Sequence, residues 1–335
     1  MIECLNRFTN SQNYSGLYIP CTGQGEPGMW TPYRLRRVKE IFTGTHEGRE
    51  TTRQSTVHAR NLSERIQTLK VRSEFEKETS TDIEEPIFVC SAGWRSGSTL
   101  LQRMLMANER VLIWGEPFDR SGIVQKLADM CRPFTFEWPS SNFIFENIGS
   151  NRILSEEWIA NLYPSLSDFR GAHRDMLLRL FKEPAEKNGY EYWGLKEVRF
   201  SVAQAEYLQY IFPNAKFIFI VRNPVDAYKS YLPWRRWFKE WPERPVLTPF
   251  EFGRVWNEKV NDFVRNSHKV NGLLIRYEEL EGRVKDIENL VGFKVSKPSM
   301  LERNKGTPGQ ENEIHGLEKF IINLITFQAQ KKVGY

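Results

Sequence analysis

The stretch Ser91-Ala-Gly-Trp-Arg-Ser-Gly-Ser-Thr99 gathers glycines, hydroxyls and an arginine between an apolar run, Ile87-Phe-Val-Cys90, and a helical period with Leu100, Leu101, Met104 and Leu105 on one face. A turn between a buried strand and a helix is where backbone N–H groups and the helix dipole converge on an anion. Gly93 and Gly97 permit close backbone approach. Ser98 and Thr99 supply hydroxyls at the helix start, and Arg95 supplies a forked, permanent positive charge. The pattern GxxxxGK[ST] does not fit these residues, so an ordinary ATPase that seats Mg²⁺ on a Lys-Ser/Thr pair is disfavoured. Read alone, the run could also be a glycine turn that merely joins a strand to a helix.

A second cationic position lies in Val221-Arg-Asn-Pro-Val-Asp-Ala-Tyr-Lys-Ser-Tyr231. Arg222 ends the apolar run Lys216-Phe-Ile-Phe-Ile-Val221, and open α/β sheets bind ligands at the carboxyl ends of their strands. Asn223 can cap the following helix and Pro224 can take its first turn. Ser230 lies about two helical turns on, so it and Arg222 can reach one anion, the arginine bidentately. The plainer alternative pairs Arg222 with Asp226 on the surface.

Arg95-Ser-Gly-Ser-Thr-Leu-Leu101 resembles the 5′-phosphosulfate loop of sulfotransferases that use 3′-phosphoadenosine 5′-phosphosulfate (PAPS). The likeness is to the Arg-Ser-Gly version of tyrosylprotein, glycan and bacterial enzymes, where the cytosolic steroid and phenol branch carries Lys. Val221–Tyr231 resembles the family's 3′-phosphate segment, and Leu274-Ile-Arg-Tyr-Glu-Glu-Leu280 its R-Y-E-D-L segment. Arg303-Asn-Lys-Gly306 partly resembles its R-K-G element, with the inserted Asn304 leaving both Arg303 and Lys305 as candidates. The resemblance spans roughly residues 86–310. It implies a P-loop-like α/β fold, with a central parallel sheet flanked by helices. It also implies transfer of a sulfuryl group from PAPS to a hydroxyl or amine, with release of 3′,5′-ADP. The implied donor-binding residues are Arg95, Ser96, Gly97, Ser98, Thr99, Leu100, Arg222, Ser230, Tyr277, Arg303 and Lys305.

Sulfuryl transfer resembles phosphoryl transfer, with a loose, in-line transition state and growing charge on the departing oxygen. Arg95 is placed by its loop to meet that charge. Lys196, in Gly194-Leu-Lys-Glu-Val-Arg199, is the second candidate, since it precedes the Arg222 strand as the family's catalytic lysine does. The histidine base of the cytosolic branch has no counterpart here. Glu116, in Trp114-Gly-Glu-Pro-Phe118, follows the first helix as the tyrosylprotein enzymes' glutamate does, and is the preferred base. Glu197 is second, because strand alternation turns it away from Lys196. A helix cap or an arginine partner is the alternative for Glu116. Tyr231-Leu-Pro-Trp-Arg-Arg-Trp-Phe-Lys-Glu-Trp241 offers aromatics and arginines for an acceptor or, equally, for packing. A small-molecule acceptor, a secondary metabolite or saccharide, is favoured. A phosphotransferase of the P-loop type is the competing enzyme, and a nucleic-acid-binding module the non-enzymatic one.

These residues need an α/β scaffold. Ile87–Cys90, Tyr192–Leu195, Lys216–Val221 and Leu273–Ile275 read as strands, with helices over 201–211 and much of 151–190. Alternating strands and helices predict a doubly wound parallel sheet. Residues 1–85 differ in composition and read as an extension of unknown role, with a charged helix within 58–78 and a linker over 77–86; the catalytic domain is expected over 86–335.

The bulk properties agree. Of 335 residues, 40% are hydrophobic and 13% aromatic, enough for a large core. Net charge is +5, too mild to indicate nucleic acid, and Arg34-Leu-Arg-Arg-Val-Lys39 is interrupted by apolar residues. Cysteines 4, 21, 90 and 131 and histidines 46, 58, 173, 268 and 315 lack metal-ligand spacing, so no metal is expected. With no signal-like start and no apolar run of membrane length, a cytoplasmic protein without a membrane span is expected. The oligomeric state is left open.

Overall fold

The computed structural model describes residues 62–72, 84–147, 159–234, 246–296 and 314–335. Helix α1 covers 62–72, followed by β1 (Ile87–Ser91), α2 (Ser98–Met106), β2 (Val111–Trp114) and α3 (Ile123–Asp129). Helix α4 (Leu166–Leu177) continues through a π-helical stretch, Leu178–Lys182, into α5 (Glu183–Lys187). Then come β3 (Tyr192–Glu197), α6 (Val202–Ile211), β4 (Lys216–Val221), α7 (Pro224–Tyr231), α8 (Pro249–Asn266), β5 (Gly272–Arg276), α9 (Val284–Val291) and α10 (Gly316–Lys332).

The strands form one parallel sheet in the order β2-β3-β1-β4-β5. Its centre is apolar on both faces, as parallel strands under two helical layers require. Phe88, Cys90, Trp193, Leu195, Phe217 and Phe219 pack beneath α6 and α8. Ile87, Val89, Ile113, Ile218, Ile220 and Ile275 pack on the other face, beneath α2 and α9. The four strands expected from sequence are present. The fifth, β2, was not foreseen: it has four residues, and only alternate ones are buried at its edge position.

Local signals set the helix starts. Ser201 and Gln204 form a capping box on α6, and Thr248 and Glu251 one on α8. Asn223 caps α7 through the N–H groups of Val225 and Asp226, with Pro224 at the first position, as expected.

Helix α1 falls within the charged helix expected over 58–78. Its Leu62, Ile66 and Leu69 are wholly buried in the α6/α8-side core. Ser63 Oγ and Gln67 Nε2 each donate to the buried Glu206 carboxylate at 2.7 Å. The core therefore reaches into the segment read as an extension. Arg34–Lys39 and most of the 77–86 linker lie outside the described residues. Among the described residues no helix is long and apolar enough to cross a membrane, and no cluster of His, Cys, Asp and Glu has metal-binding geometry.

Candidate functional site

The turn after β1 is held by its own hydroxyls. Ser91 Oγ donates to the Gly93 carbonyl at 2.6 Å, and Ser96 Oγ to the carbonyls of Ala92 and Gly93 at 3.2 Å. Ser96 is fully buried, so its side chain shapes the turn. Gly93 and Gly97 have φ of 83° and 89°, and Arg95, although not glycine, has φ of 61°. Left-handed backbone at a non-glycine residue is uncommon and concentrates at functional sites. Gly97 is the amino-terminal cap of α2, with no side chain capping the helix, which suits its first N–H groups to an anion. Ser98 is buried at the helix start beside the exposed Thr99, while Leu100 packs partly into the α2-side core.

Arg222, just beyond β4, donates from Nη1 to the carbonyl of Arg95 at 3.1 Å, across 127 residues of sequence. Arg95 Nε donates to Ser230 Oγ at 2.9 Å. The segments expected to hold the two ends of one donor thus touch. Among the described residues Arg222 makes no ion pair with Asp226. Its guanidinium lies 4.6 Å from the Tyr277 ring centre, its carbonyl accepts from Trp256 Nε1 at 2.9 Å, and its buried Nε has no hydrogen-bond partner among the described residues. Burial, and then the like charge of Arg222, hold the Arg95 guanidinium below its ordinary pKa.

Tyr277 follows β5 and fills the space beside Gly97. Next to it, Glu278 accepts from the Asn223 N–H at 3.0 Å and from the Tyr335 hydroxyl. Burial and the Glu278 carboxylate push the Tyr335 phenol well above its usual range, so it stays a donor. Trp256 and Tyr335 were missed by sequence reasoning, since neither belongs to a motif and each arrives through tertiary packing. Arg303 and Lys305, like the acceptor segment from residue 235 to Trp241, lie outside the described residues.

Lys196 Nζ donates to Glu116 Oε1 at 2.7 Å, with side chains 9% and 24% exposed. This pair joins the end of β3 to the bend after β2. Glu197 points the other way. Wholly buried, it accepts from Arg199 Nε at 2.9 Å and Nη2 at 2.7 Å, and from the backbone N–H groups of Val198 and Arg199. Its lone pairs are engaged by fixed donors, leaving Glu116 the more accessible carboxylate.

The sequence profile of the sulfotransferase family matches residues 86–288. No curated protein matches the chain. Among solved structures, the chain is similar to the sulfotransferase domain of the Synechococcus PCC 7002 olefin synthase, at 16% identity over 77% of this chain and 98% of that one, with a TM-score of 0.42. It is also similar to the sulfotransferase domain from the curacin biosynthetic pathway, at 15% identity over 76% of this chain and 99% of that one, with a TM-score of 0.43.

Proposed function

The chain belongs to the sulfotransferase family, and from that premise we propose that it transfers a sulfuryl group from PAPS to a hydroxyl or amine of a small-molecule acceptor, releasing 3′,5′-ADP. The observation that carries this reading is the junction of Arg95, Ser230 and Arg222, which brings two cationic segments distant in sequence together, as one donor with two charged ends requires.

The donor supplies an activated sulfuryl group on a phosphate, with a second phosphate on its ribose. The residues present suit both charged ends. The uncapped start of α2, with Gly97, Ser98 and Thr99, suits the phosphosulfate, and the Nε of Arg222, without a hydrogen-bond partner among the described residues, suits the ribose phosphate. Arg95 turns from Ser230 toward the charge that builds on the leaving oxygen, and Ser230 is then released to the ribose phosphate. Lys196 serves the same oxygen. Glu116, held as an acceptor by Lys196, takes the proton of the attacking hydroxyl or amine. Tyr277 supports Arg222 from below. Arg303 and Lys305 remain the family-based candidates for closing over the ribose phosphate. We place the reaction in the cytoplasm, a compartment suited to the buried free thiols of Cys90 and Cys131.

Calorimetry with 3′,5′-ADP and 5′-AMP in the absence of Mg²⁺ tests the reading. Binding of 3′,5′-ADP at least about tenfold tighter is expected, because Arg222 would meet a charge that 5′-AMP lacks. Equal binding of the two nucleotides would remove the second phosphate site and with it the proposal.

A further inference from the structure

Three braces meet on the backbone around Arg222. Trp256 Nε1 donates to the carbonyl of Arg222 at 2.9 Å, and Glu278 Oε1 accepts from the N–H of Asn223 at 3.0 Å. The third comes from beyond α10, in Tyr335, whose hydroxyl donates to Glu278 Oε2 and lies 3.5 Å from the Val221 carbonyl. Tyr335 belongs to none of the motifs and lies past the residues matched to the family, 86–288. Resting on the sulfotransferase reading, we propose that Tyr335 is a positioning residue for the donor. Its hydroxyl keeps the Glu278 carboxylate on Asn223 and off the Arg222 guanidinium, which stays available for the ribose phosphate.

The charges explain why such a device is useful. Glu278 follows Tyr277, whose ring lies against the Arg222 guanidinium, and its carboxylate bonds the residue after Arg222. An acid and a guanidinium on neighbouring residues attract, and a pair between them would neutralise the cation and set a negative charge beside the donor's phosphate. Among the described residues Arg222 instead meets the Arg95 carbonyl and the Tyr277 ring, with no ion pair to Glu278. One oxygen of Glu278 holds the Asn223 N–H and the other the Tyr335 hydroxyl, so turning toward Arg222 costs the carboxylate both bonds. A phenol suits this task because it donates without adding a cation that would compete for the phosphate.

Tyr335 is in turn held by Arg276, which ends β5. Arg276 Nη1 donates to the Gly334 carbonyl at 2.5 Å, and its guanidinium lies 5.5 Å from the Tyr335 ring centre. Arg276 Nη2 is taken by Glu279, so the two adjacent acids divide, Glu279 to Arg276 and Glu278 to Tyr335. The ring also packs against the α6/α8-side core. Removing the hydroxyl alone therefore leaves the ring anchored.

The test is calorimetry of the full chain with 3′,5′-ADP and with 5′-AMP, on the native protein, Tyr335→Phe, and Tyr335→Phe combined with Glu278→Gln. Tyr335→Phe should bind 3′,5′-ADP roughly threefold to tenfold more weakly, with 5′-AMP affinity within about twofold of native. Adding Glu278→Gln removes the charge that competes for Arg222 and keeps an acceptor for Asn223, so 3′,5′-ADP affinity should return to within about twofold of native. A tyrosine that merely held the fold would weaken both nucleotides together and would gain nothing from the second substitution. Native-like 3′,5′-ADP binding by Tyr335→Phe, equal weakening of both nucleotides, or no recovery in the double variant overturns the inference. So does a Tyr335→Phe protein without a cooperative melting transition, since the hydroxyl is assigned to binding and not to folding. The native titrations separate the two levels. A native protein with no preference for 3′,5′-ADP removes the sulfotransferase reading and this inference with it, whereas a clear preference with contrary variants removes the role of Tyr335 alone.

Discussion

A Cβ on Gly97 would sit 2.0 Å from Cδ2 of Tyr277. The aromatic ring thus occupies the space that the missing side chain leaves, and on it rests the guanidinium of Arg222. One small residue lets a tyrosine from the end of β5 touch both segments proposed to bind the donor's phosphates. Gly97→Ala should therefore do two kinds of damage. It places a side chain in left-handed backbone, costing about 1–3 kcal/mol, and it displaces the ring. A lower melting temperature and at least tenfold weaker 3′,5′-ADP binding are expected. Adding Tyr277→Ala relieves the collision but removes the platform, so binding should stay weak. A double variant that binds like the native protein would refute the supporting role of the ring.

Arg222→Ala should weaken 3′,5′-ADP binding at least about tenfold while changing 5′-AMP binding little. Arg222→Lys should restore only part of the loss, because an ammonium lacks both the flat face over Tyr277 and the forked donors. Parallel titrations with the two nucleotides measure this directly.

Glu116→Gln keeps the size of the side chain and its contact with Lys196 but removes the basic carboxylate. Turnover should fall roughly 10²–10⁴-fold under conditions where chemistry limits the rate, with 3′,5′-ADP affinity retained. Single-turnover kinetics at the native rate would remove Glu116 from the role of base.

Glu197→Ala predicts a different phenotype. It strands Arg199, only 4% exposed at its side chain, without its carboxylate, and breaking such a buried pair costs about 3–5 kcal/mol. Chemical denaturation should show that loss, and the residual folded protein should still bind 3′,5′-ADP.

His173 supplies a pH dependence. It is buried, with Nδ1 2.9 Å from the Tyr207 hydroxyl, and burial lowers its pKa from the ordinary 6.5. The unfolded chain then binds the proton more readily. The stabilisation is complete above the ordinary histidine range and declines as pH falls through 6.5 toward the depressed folded value. His173→Gln should flatten that part of the stability curve, and denaturant midpoints taken between pH 8 and pH 5 would show whether it does.

Much of the scaffold was legible because its central strands are continuous apolar runs ended by a glycine turn or by Arg-Asn-Pro. Asn223 and Pro224 announced α7 in the same way. Strand β2 was not legible, since four residues with alternate burial carry too little pattern to separate from a loop. At the site, the motif residues Arg95, Arg222, Ser230 and Tyr277 do converge. What sequence could not supply is who touches whom. Arg95 reaching Ser230, the Gly97–Tyr277 fit and the hold of Tyr335 on Glu278 depend on strand order and on helices far along the chain. That Glu197 turns away from Lys196 followed from alternation along β3, but the Arg199 clamp needed three-dimensional packing.

The burial of Leu62, Ile66 and Leu69 bears on how this protein can be handled. The sequence match to its family begins at residue 86, yet trimming the chain there would strip a helix from a filled interior and leave the Glu206 carboxylate without the Ser63 and Gln67 donors. Such a shortened version should aggregate or melt early even though every recognisable motif is intact. A piece expected to fold alone keeps the helix from residue 62 on, upstream of anything a motif search would retain.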